Sequence, residues 1–204
     1  MNMRFNAWRE GILLYAPWYV GGFVSFFLGS STFVSVLGCI FCLIGLAVML
    51  FFRDPKREIP AGDNDLLCPA DGRVVDITYL DQTPHYEGGC IRISVFLSVL
   101  DVHVNRAPFS GKVTRIVYTP GRFLDARLSE TTEVNESLNL YLETSHGLIT
   151  VRQIAGKIAR RIVCRVAPGE SLQRGEKYGM IRFGSRTELY VPRSVELCVQ
   201  IEQR

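Results

Sequence analysis

The sequence predicts a mainly β domain, of a sandwich or barrel type, that follows an N-terminal transmembrane helical hairpin. Residues 11–29 and 32–52 are apolar or small throughout, and each stretch has about the 20 residues that a helix needs to cross a bilayer. From residue 65 onward, short alternating segments are separated by turn residues, as in antiparallel sheets. The chain is therefore expected to divide into a membrane hairpin with its exit segment, 1–60, and a β domain, 61–204.

The hairpin is flanked by basic residues on both sides. Arg4 and Arg9 precede it, and Arg53, Lys56 and Arg57 follow it. Because basic residues mark the cytoplasmic ends of membrane helices, we expect both ends, and the β domain, on the cytoplasmic side of the cell (inner) membrane. A cleaved signal peptide is disfavoured because a second apolar stretch follows. The pattern leaves open whether the hairpin spans the bilayer fully or is one re-entrant unit.

Composition argues against several classes of partner. The chain of 204 residues carries 23 basic and 20 acidic side chains, a net charge of +3, so no nucleic-acid partner is implied. Cys39 and Cys42 form a C-x-x-C within an apolar stretch without further ligands, and the three histidines lack ligand spacing. We therefore expect no metal site. The remaining cysteines are scattered, which suits a reducing compartment.

The β domain is predicted from alternation and turn signals. A helix or mobile loop is expected over 125–135. Residues 166–176 space two glycines around an apolar residue, as hammerhead domains of the lipoyl and biotinyl type do, but without a lysine in the usual modification setting. The predicted strands are 73–79, 90–99, 112–118, 137–143, 148–154, 161–166, 178–183, 188–191 and 195–201.

A Gly-Ser step lies between two of these strands, where a tight corner is expected. Gly184 has no Cβ, so it adopts strained dihedrals and leaves its carbonyl unshielded. The Ser185 hydroxyl can attack that carbonyl and convert the peptide bond to an ester. Elimination then leaves dehydroalanine, which hydrolyses to a pyruvoyl group, an electron sink for amines. A Gly-Ser pair alone is also common in ordinary turns.

Two further residues are candidates for chemistry. Asp71 opens a strand in an Asp-Gly turn, for which turn formation alone is a sufficient explanation. His103 follows an apolar strand beside other polar residues, a setting that suits a general acid or base and equally a structural histidine bonded to a loop. His85 and His146 lie in turn-rich sequence and are expected to be solvated.

Together, the motifs resemble the phosphatidylserine decarboxylase proenzymes of the short, pyruvoyl-dependent type. The resemblance runs through most of the chain and depends on the order of its motifs behind a membrane hairpin. The matching segments are 51–60, 69–72 (Pro-Ala-Asp-Gly), 101–108 (Asp-Val-His-Val-Asn-Arg-Ala-Pro), 118–121, 135–136, 151–156 and 175–185.

The resemblance implies roles for the candidate residues. Ser185 would become the covalent pyruvoyl cofactor, and cleavage after Gly184 would give a large chain, 1–184, and a small chain, 185–204. Asp71 would belong to a charge relay for self-cleavage, and His103 would act in proton transfer. Arg106 stands where the family has a second histidine. The base that activates Ser185 is therefore left open: His103 could do both jobs, or Asp71 could act through water.

The implied activity is decarboxylation of phosphatidylserine to phosphatidylethanolamine through a Schiff base on the pyruvoyl group, in phospholipid biosynthesis. The implied partners are phosphatidylserine in the membrane and the two chains of one precursor, and a homo-oligomer is compatible with the sequence. The loop 121–127 mixes aromatic, aliphatic and basic residues. It suits contact with the headgroup layer and equally an ordinary mobile loop.

Two alternatives stay open at this point. An archaetidylserine headgroup is chemically the same, so the sequence does not distinguish the lipid backbone. A non-enzymatic, membrane-anchored β adaptor would explain the hairpin and the strands, but not why Asp71, His103 and the Gly-Ser step occur together. Whether the mature protein is one chain or two separates the adaptor from the enzyme.

Overall fold

The computed structural model describes residues 5–29, 31–60, 62, 64–128, 131–157 and 161–204. Arg4 and Ser30 of the predicted hairpin region lie outside these residues. The chain forms two compact units, one of them Asn6–Lys56 and the other containing Arg57–Arg204.

The first unit is the predicted helical hairpin. Helix α1 is Ala7–Leu28 and helix α2 is Thr32–Phe51, and both are long and apolar enough to cross a membrane, which indicates membrane association. Asn6 and Ser31 cap the helices, each accepting a hydrogen bond from a backbone N–H three residues on. A Cβ added at Gly22 would lie 3.1 Å from the Gly38 carbonyl oxygen, so small residues let the two helices approach closely.

The second unit is mainly β and consists of two antiparallel sheets. The large sheet has the strand order β1-β2-β10-β6-β5-β4-β8, and the small sheet has the order β3-β9-β7. The strands are β1 Arg73–Leu80, β2 Cys90–Leu97, β3 Val104–Arg106, β4 Gly111–Thr119, β5 Ser137–Thr144, β6 Gly147–Ala155, β7 Ile162–Cys164, β8 Ser171–Leu172, β9 Lys177–Ile181 and β10 Ser185–Pro192. A four-residue helix, α3 Thr131–Val134, lies within the segment predicted as a helix or loop.

The main hydrophobic core lies between the two sheets. Alternate residues of the large sheet, among them Val95, Val151 and Leu189, are buried in one cluster with Tyr178 from the small sheet. The prediction of a mainly β, sandwich-like domain behind a helical hairpin is therefore confirmed. Because β1 and β8 end the large sheet within the described residues, the sheet does not close into a barrel.

One predicted strand is wrong, and another is longer than predicted. Residues 195–201 contain no strand. Their alternation has another cause: Val195 and Leu197 pack against the core, and the segment bonds to the edge strand only later, where the Glu202 N–H donates to the Val74 carbonyl. Strand β10 begins at Ser185 rather than at residue 188, and it lies in the middle of the large sheet, between β2 and β6.

Candidate active site

The turn between β9 and β10 carries the Gly-Ser step at the tight corner that the sequence predicts. Phe183 and Gly184 both have left-handed backbones, with φ of 63° and 69°. Glycine adopts this conformation freely, whereas for phenylalanine it costs about 1–3 kcal/mol. The residue directly after the turn, Ser185, starts β10. Backbone strain is therefore concentrated immediately before the candidate bond.

His103 contacts this turn directly. It is fully buried, and its Nε2 accepts a hydrogen bond of 3.1 Å from the Gly184 N–H. Its Nδ1 lies 2.9 Å from the Asp101 carbonyl oxygen. Because a carbonyl only accepts, Nδ1 carries the proton and Nε2 presents its lone pair to the turn. The Asp101 carboxylate accepts bonds from the Ser98 N–H and hydroxyl, 2.8 Å each, which fixes the loop that holds the ring.

Ser185 is fully buried within the sheet. It pairs with Leu97 on β2 and with Ala155 on β6. Its hydroxyl has no hydrogen-bond partner among the described residues, which is costly for a buried polar group. The structure thus brings Gly184, Ser185 and His103 together. No hydrogen bond among the described residues holds the Ser185 hydroxyl away from the Gly184 carbonyl carbon that it would attack. These three residues therefore fit the formation of a pyruvoyl group.

Asp71 and Arg106 lie elsewhere. The Asp71 carboxylate accepts a bond of 2.9 Å from Arg57 and is 39% exposed. Arg106 donates to the Gly175 carbonyl at 3.3 Å. Asp71, Arg106 and Val104 line one cavity of about 180 Å³. Along β3, Asn105 faces the large sheet and Arg106 faces the opposite way. Arg106 therefore faces away from the large sheet that carries Ser185, and the relay role of Asp71 stays a prediction.

A buried polar trio lies on the same face of the large sheet as Ser185. Gln153 on β6 donates from Nε2 to Asn105 Oδ1 at 2.7 Å, and Asn105 Nδ2 donates to Thr187 Oγ1 at 3.2 Å. All three side chains are fully buried, and Gln153 Oε1 has no hydrogen-bond partner among the described residues. The trio holds β10 in register next to the step and keeps a hydrogen-bond acceptor there.

One known family matches most of this chain. The family described as phosphatidylserine decarboxylase matches residues 44–204. The chain is 42% identical over 183 residues to a phosphatidylserine decarboxylase proenzyme of Desulfotalea psychrophila, covering 88% of the chain and 86% of the relative. It is 40% identical over 208 residues to one of Carboxydothermus hydrogenoformans, covering 96% and 93%. The chain belongs to the phosphatidylserine decarboxylase family. The resemblance inferred from its motifs is confirmed.

The opposite face of β10 holds a charged cluster that the sequence analysis missed. Glu188 is fully buried and accepts bonds from Thr132 at 2.8 Å and Tyr190 at 2.7 Å. It also pairs with Arg186 at 3.3 Å and Arg152 at 3.7 Å. Burial lowers the pKa of Arg186, and burial together with the Glu188 charge raises that of Tyr190. The cluster ties the strand after the step to β6 and to α3.

The remaining histidines are placed differently from one another. His146 is exposed, as expected. His85 is half-buried instead of fully solvated: its Nδ1 accepts a bond of 3.1 Å from Asn139, and its ring packs edge-on against Tyr190. Burial and the nearby Arg152 charge lower its pKa. The expectation of a surface histidine was wrong here because a turn-rich segment folds onto the sheet.

Sequence patterns contained partial signals for the missed residues. Gln153 stands at an inward position of the predicted strand 148–154, where apolar residues are usual, so it was a visible departure from alternation. Thr187 lay outside the predicted strand 188–191 and gave no such signal. Nothing local marked Phe183 as a left-handed residue, because bulky side chains rarely adopt that conformation. Among the described residues, no three His, Cys, Asp or Glu side chains form a metal-binding group.

Proposed function

We propose that this chain decarboxylates phosphatidylserine to phosphatidylethanolamine with a pyruvoyl group that it makes from Ser185. The observation that carries the proposal is the contact of 3.1 Å between His103 Nε2 and the Gly184 N–H, at a left-handed turn directly before the buried Ser185. Relatives from Desulfotalea psychrophila and Geotalea uraniireducens are named phosphatidylserine decarboxylase proenzymes, which supports this activity over the adaptor alternative.

Self-cleavage would begin with attack by Ser185 Oγ on the Gly184 carbonyl carbon. The hydroxyl proton passes to a base, the C–N bond breaks, and the nitrogen takes up a proton, which leaves an ester. Loss of the Ser185 α-proton then breaks the Cβ–Oγ bond and frees the Gly184 carboxylate. Hydrolysis of the resulting dehydroalanine releases ammonia and leaves the pyruvoyl carbonyl at the start of β10.

His103 is the favoured base for these proton transfers. Its neutral Nε2 already faces the turn, whereas Asp71 is bound to Arg57. Nε2 accepts the Gly184 N–H before cleavage, so a small movement of the turn must free its lone pair for the Ser185 proton. The left-handed backbone at Phe183 favours such a movement because leaving it relieves strain.

The pyruvoyl carbonyl, once joined to the amine of the serine headgroup, would supply an electron sink for the electron pair that is released when carbon dioxide leaves. The residues of this chain would orient the headgroup and return the proton. His103, which directly precedes β3, would deliver that proton. Gln153 Oε1, buried and unpaired among the described residues, would accept a hydrogen bond from the headgroup amine as the substrate binds.

The hairpin fits a lipid substrate. Its two apolar helices would hold the β domain at the headgroup layer, where phosphatidylserine lies. Arg9 in the first turn of α1, and Arg53, Lys56 and Arg57 after α2, favour a cytoplasmic location for that domain. The small chain would stay bound after cleavage, since β10 lies between β2 and β6.

The test is decarboxylation by the full chain in lipid nanodiscs that contain phosphatidylserine. The wild-type chain should release carbon dioxide and form phosphatidylethanolamine, and borohydride, which reduces the ketone, should abolish the activity. Ser185→Ala should be inactive because it cannot form the ketone. Turnover by Ser185→Ala, or no turnover by a fully cleaved wild-type chain, would contradict the proposal.

A further inference from the structure

Gly156 lies against the carbonyl of the step. Ser185 pairs with Ala155 across the β6–β10 ladder, so the next residue, Gly156, faces Gly184. A Cβ built on Gly156 would lie 2.4 Å from the Gly184 carbonyl oxygen and 3.2 Å from its carbonyl carbon. Real Cβ atoms do not approach an oxygen that closely, so the carbonyl oxygen occupies the space that any other residue would fill with its side chain.

Neighbouring residues hold the backbone before Gly156 in place and fill the space on its far side. The Asn135 side chain donates to the Ala155 carbonyl at 2.7 Å, and the Ala155 N–H donates to the Glu136 carbonyl at 2.9 Å. On the far side, the Ala126 side chain would be 3.3 Å from the built Cβ. A methyl group at position 156 could not move away, so the Gly184 carbonyl would have to move instead.

We infer that Gly156 is a positioning residue for self-cleavage, because its missing side chain provides the space for the carbonyl oxygen of the bond that breaks. This inference rests on the proposed function. When Ser185 Oγ adds to the carbonyl carbon, the carbon becomes tetrahedral and its oxygen gains negative charge and shifts. A methyl group there would turn the carbonyl away from Ser185 and place an apolar surface against the developing charge.

The competing explanation is that Gly156 only permits close packing of two backbones. Gly111 provides a matched control, since a Cβ built there would also lie 2.4 Å from a backbone carbonyl oxygen, that of Glu143. Gly111 is the first residue of β4, as Gly156 is the first residue after β6, and the Glu143 carbonyl takes no part in the chemistry. Both substitutions should therefore destabilise the fold, and only one should affect cleavage.

The experiment follows the cleavage of the full-length chain over time by intact-mass spectrometry, together with its thermal unfolding midpoint. Gly156→Ala should slow cleavage by about 100-fold or more, the penalty expected for a misplaced reacting group. Gly111→Ala should lower the unfolding midpoint by a similar amount and cleave within about threefold of the wild-type rate. Hydroxylamine, which cuts esters, should not release the small chain from Gly156→Ala, because the block precedes ester formation.

Three results would overturn the inference: normal cleavage by Gly156→Ala, equal slowing in Gly111→Ala, or release of the small chain by hydroxylamine. If Gly156→Ala does not fold, the double variant Ala126→Gly/Gly156→Ala takes its place, because it removes the other side chain near the new methyl group. It should cleave more slowly than Ala126→Gly alone, since the methyl group still overlaps the Gly184 carbonyl oxygen, and equal cleavage by these two variants would overturn the inference. A wild-type chain that never cleaves would instead refute the proposed function, so the two failures are distinguishable.

Discussion

The side chains on the two faces of β10 have different roles. One face carries Ser185 and Thr187 opposite His103 and Gln153, with two buried polar atoms left unpaired among the described residues. The other face carries Glu188, whose carboxylate contacts four side chains. The comparison indicates that the face with Ser185 keeps hydrogen-bonding capacity in reserve, and that the face with Glu188 would hold the strand in place during the proposed cleavage.

The largest expected effect comes from His103, opposite the face with Ser185. His103→Gln keeps an acceptor for the Gly184 N–H but cannot take up a proton at neutral pH. Self-cleavage should therefore slow by about 100-fold or more, the range of a lost general base, as followed by the appearance of the small chain. The exposed His146→Gln is the control. Cleavage by His103→Gln at the wild-type rate would assign His103 a structural role.

Glu188 on the other face of β10 should mainly affect stability. Glu188→Gln leaves Arg152 and Arg186 buried without the carboxylate that they pair with, which costs about 3–5 kcal/mol in comparable buried pairs. Urea unfolding of the full chain measures this loss. The folded fraction should still cleave, since the carboxylate lies on the face away from Ser185. Loss of cleavage in well-folded Glu188→Gln would show that the two faces are not independent.

The substitution Gly184→Ala tests the cost of backbone strain alone, without a steric clash. A Cβ built there meets only Val99, at 3.7 Å, so Gly184→Ala introduces no overlap. Its left-handed backbone, with φ of 69°, should still lower the free energy of unfolding by about 1–2 kcal/mol. Chemical denaturation of the uncleaved Ser185→Ala background measures this difference. A loss well above that range would mean that the turn is packed more tightly than the structure indicates.

The smallest expected effect is a pH dependence from His85. Burial and the Arg152 charge lower its pKa in the folded chain below the ordinary value of 6.5. The unfolded chain therefore binds its proton first as the pH falls, so stability is full above pH 6.5, decreases below it, and levels off beneath the folded pKa. His85→Gln should flatten this part of the curve, and His146→Gln should leave it unchanged.

Much of the fold could be predicted because its signals are local. The length and hydropathy of the two helices and the alternation of the inner strands follow directly from burial. The start of β10 was missed because Arg186, which pairs with Glu188, looks like a solvated residue in sequence. Both are buried because they neutralise each other, and that pairing also involves Arg152 from another strand. The alternation at 195–201 led to a wrong strand prediction. Its apolar residues pack against the core, and this packing accounts for the pattern without any strand pairing.

The candidate site was predicted in part. Gly184, Ser185 and His103 were identified from motifs, and the structure brings them together. The contacts of Asp71 with Arg57 and of Asn105 with Gln153 join segments that are distant in sequence, so no local pattern could indicate them. The left-handed backbone of Phe183 and the space at Gly156 for the Gly184 carbonyl oxygen depend on how the segments after β6 and before β10 meet. Only the folded chain determines that arrangement.

The most direct test of the central claim is the intact mass of the purified wild-type chain beside Ser185→Ala. If the Gly184–Ser185 bond cleaves itself, the wild type should give one chain of residues 1–184 and another of residues 185–204. The second chain should lack a free amino terminus and gain mass with hydroxylamine as a ketone does, while Ser185→Ala stays whole. A single uncut wild-type chain, or a small chain that begins with an ordinary serine, would contradict the account.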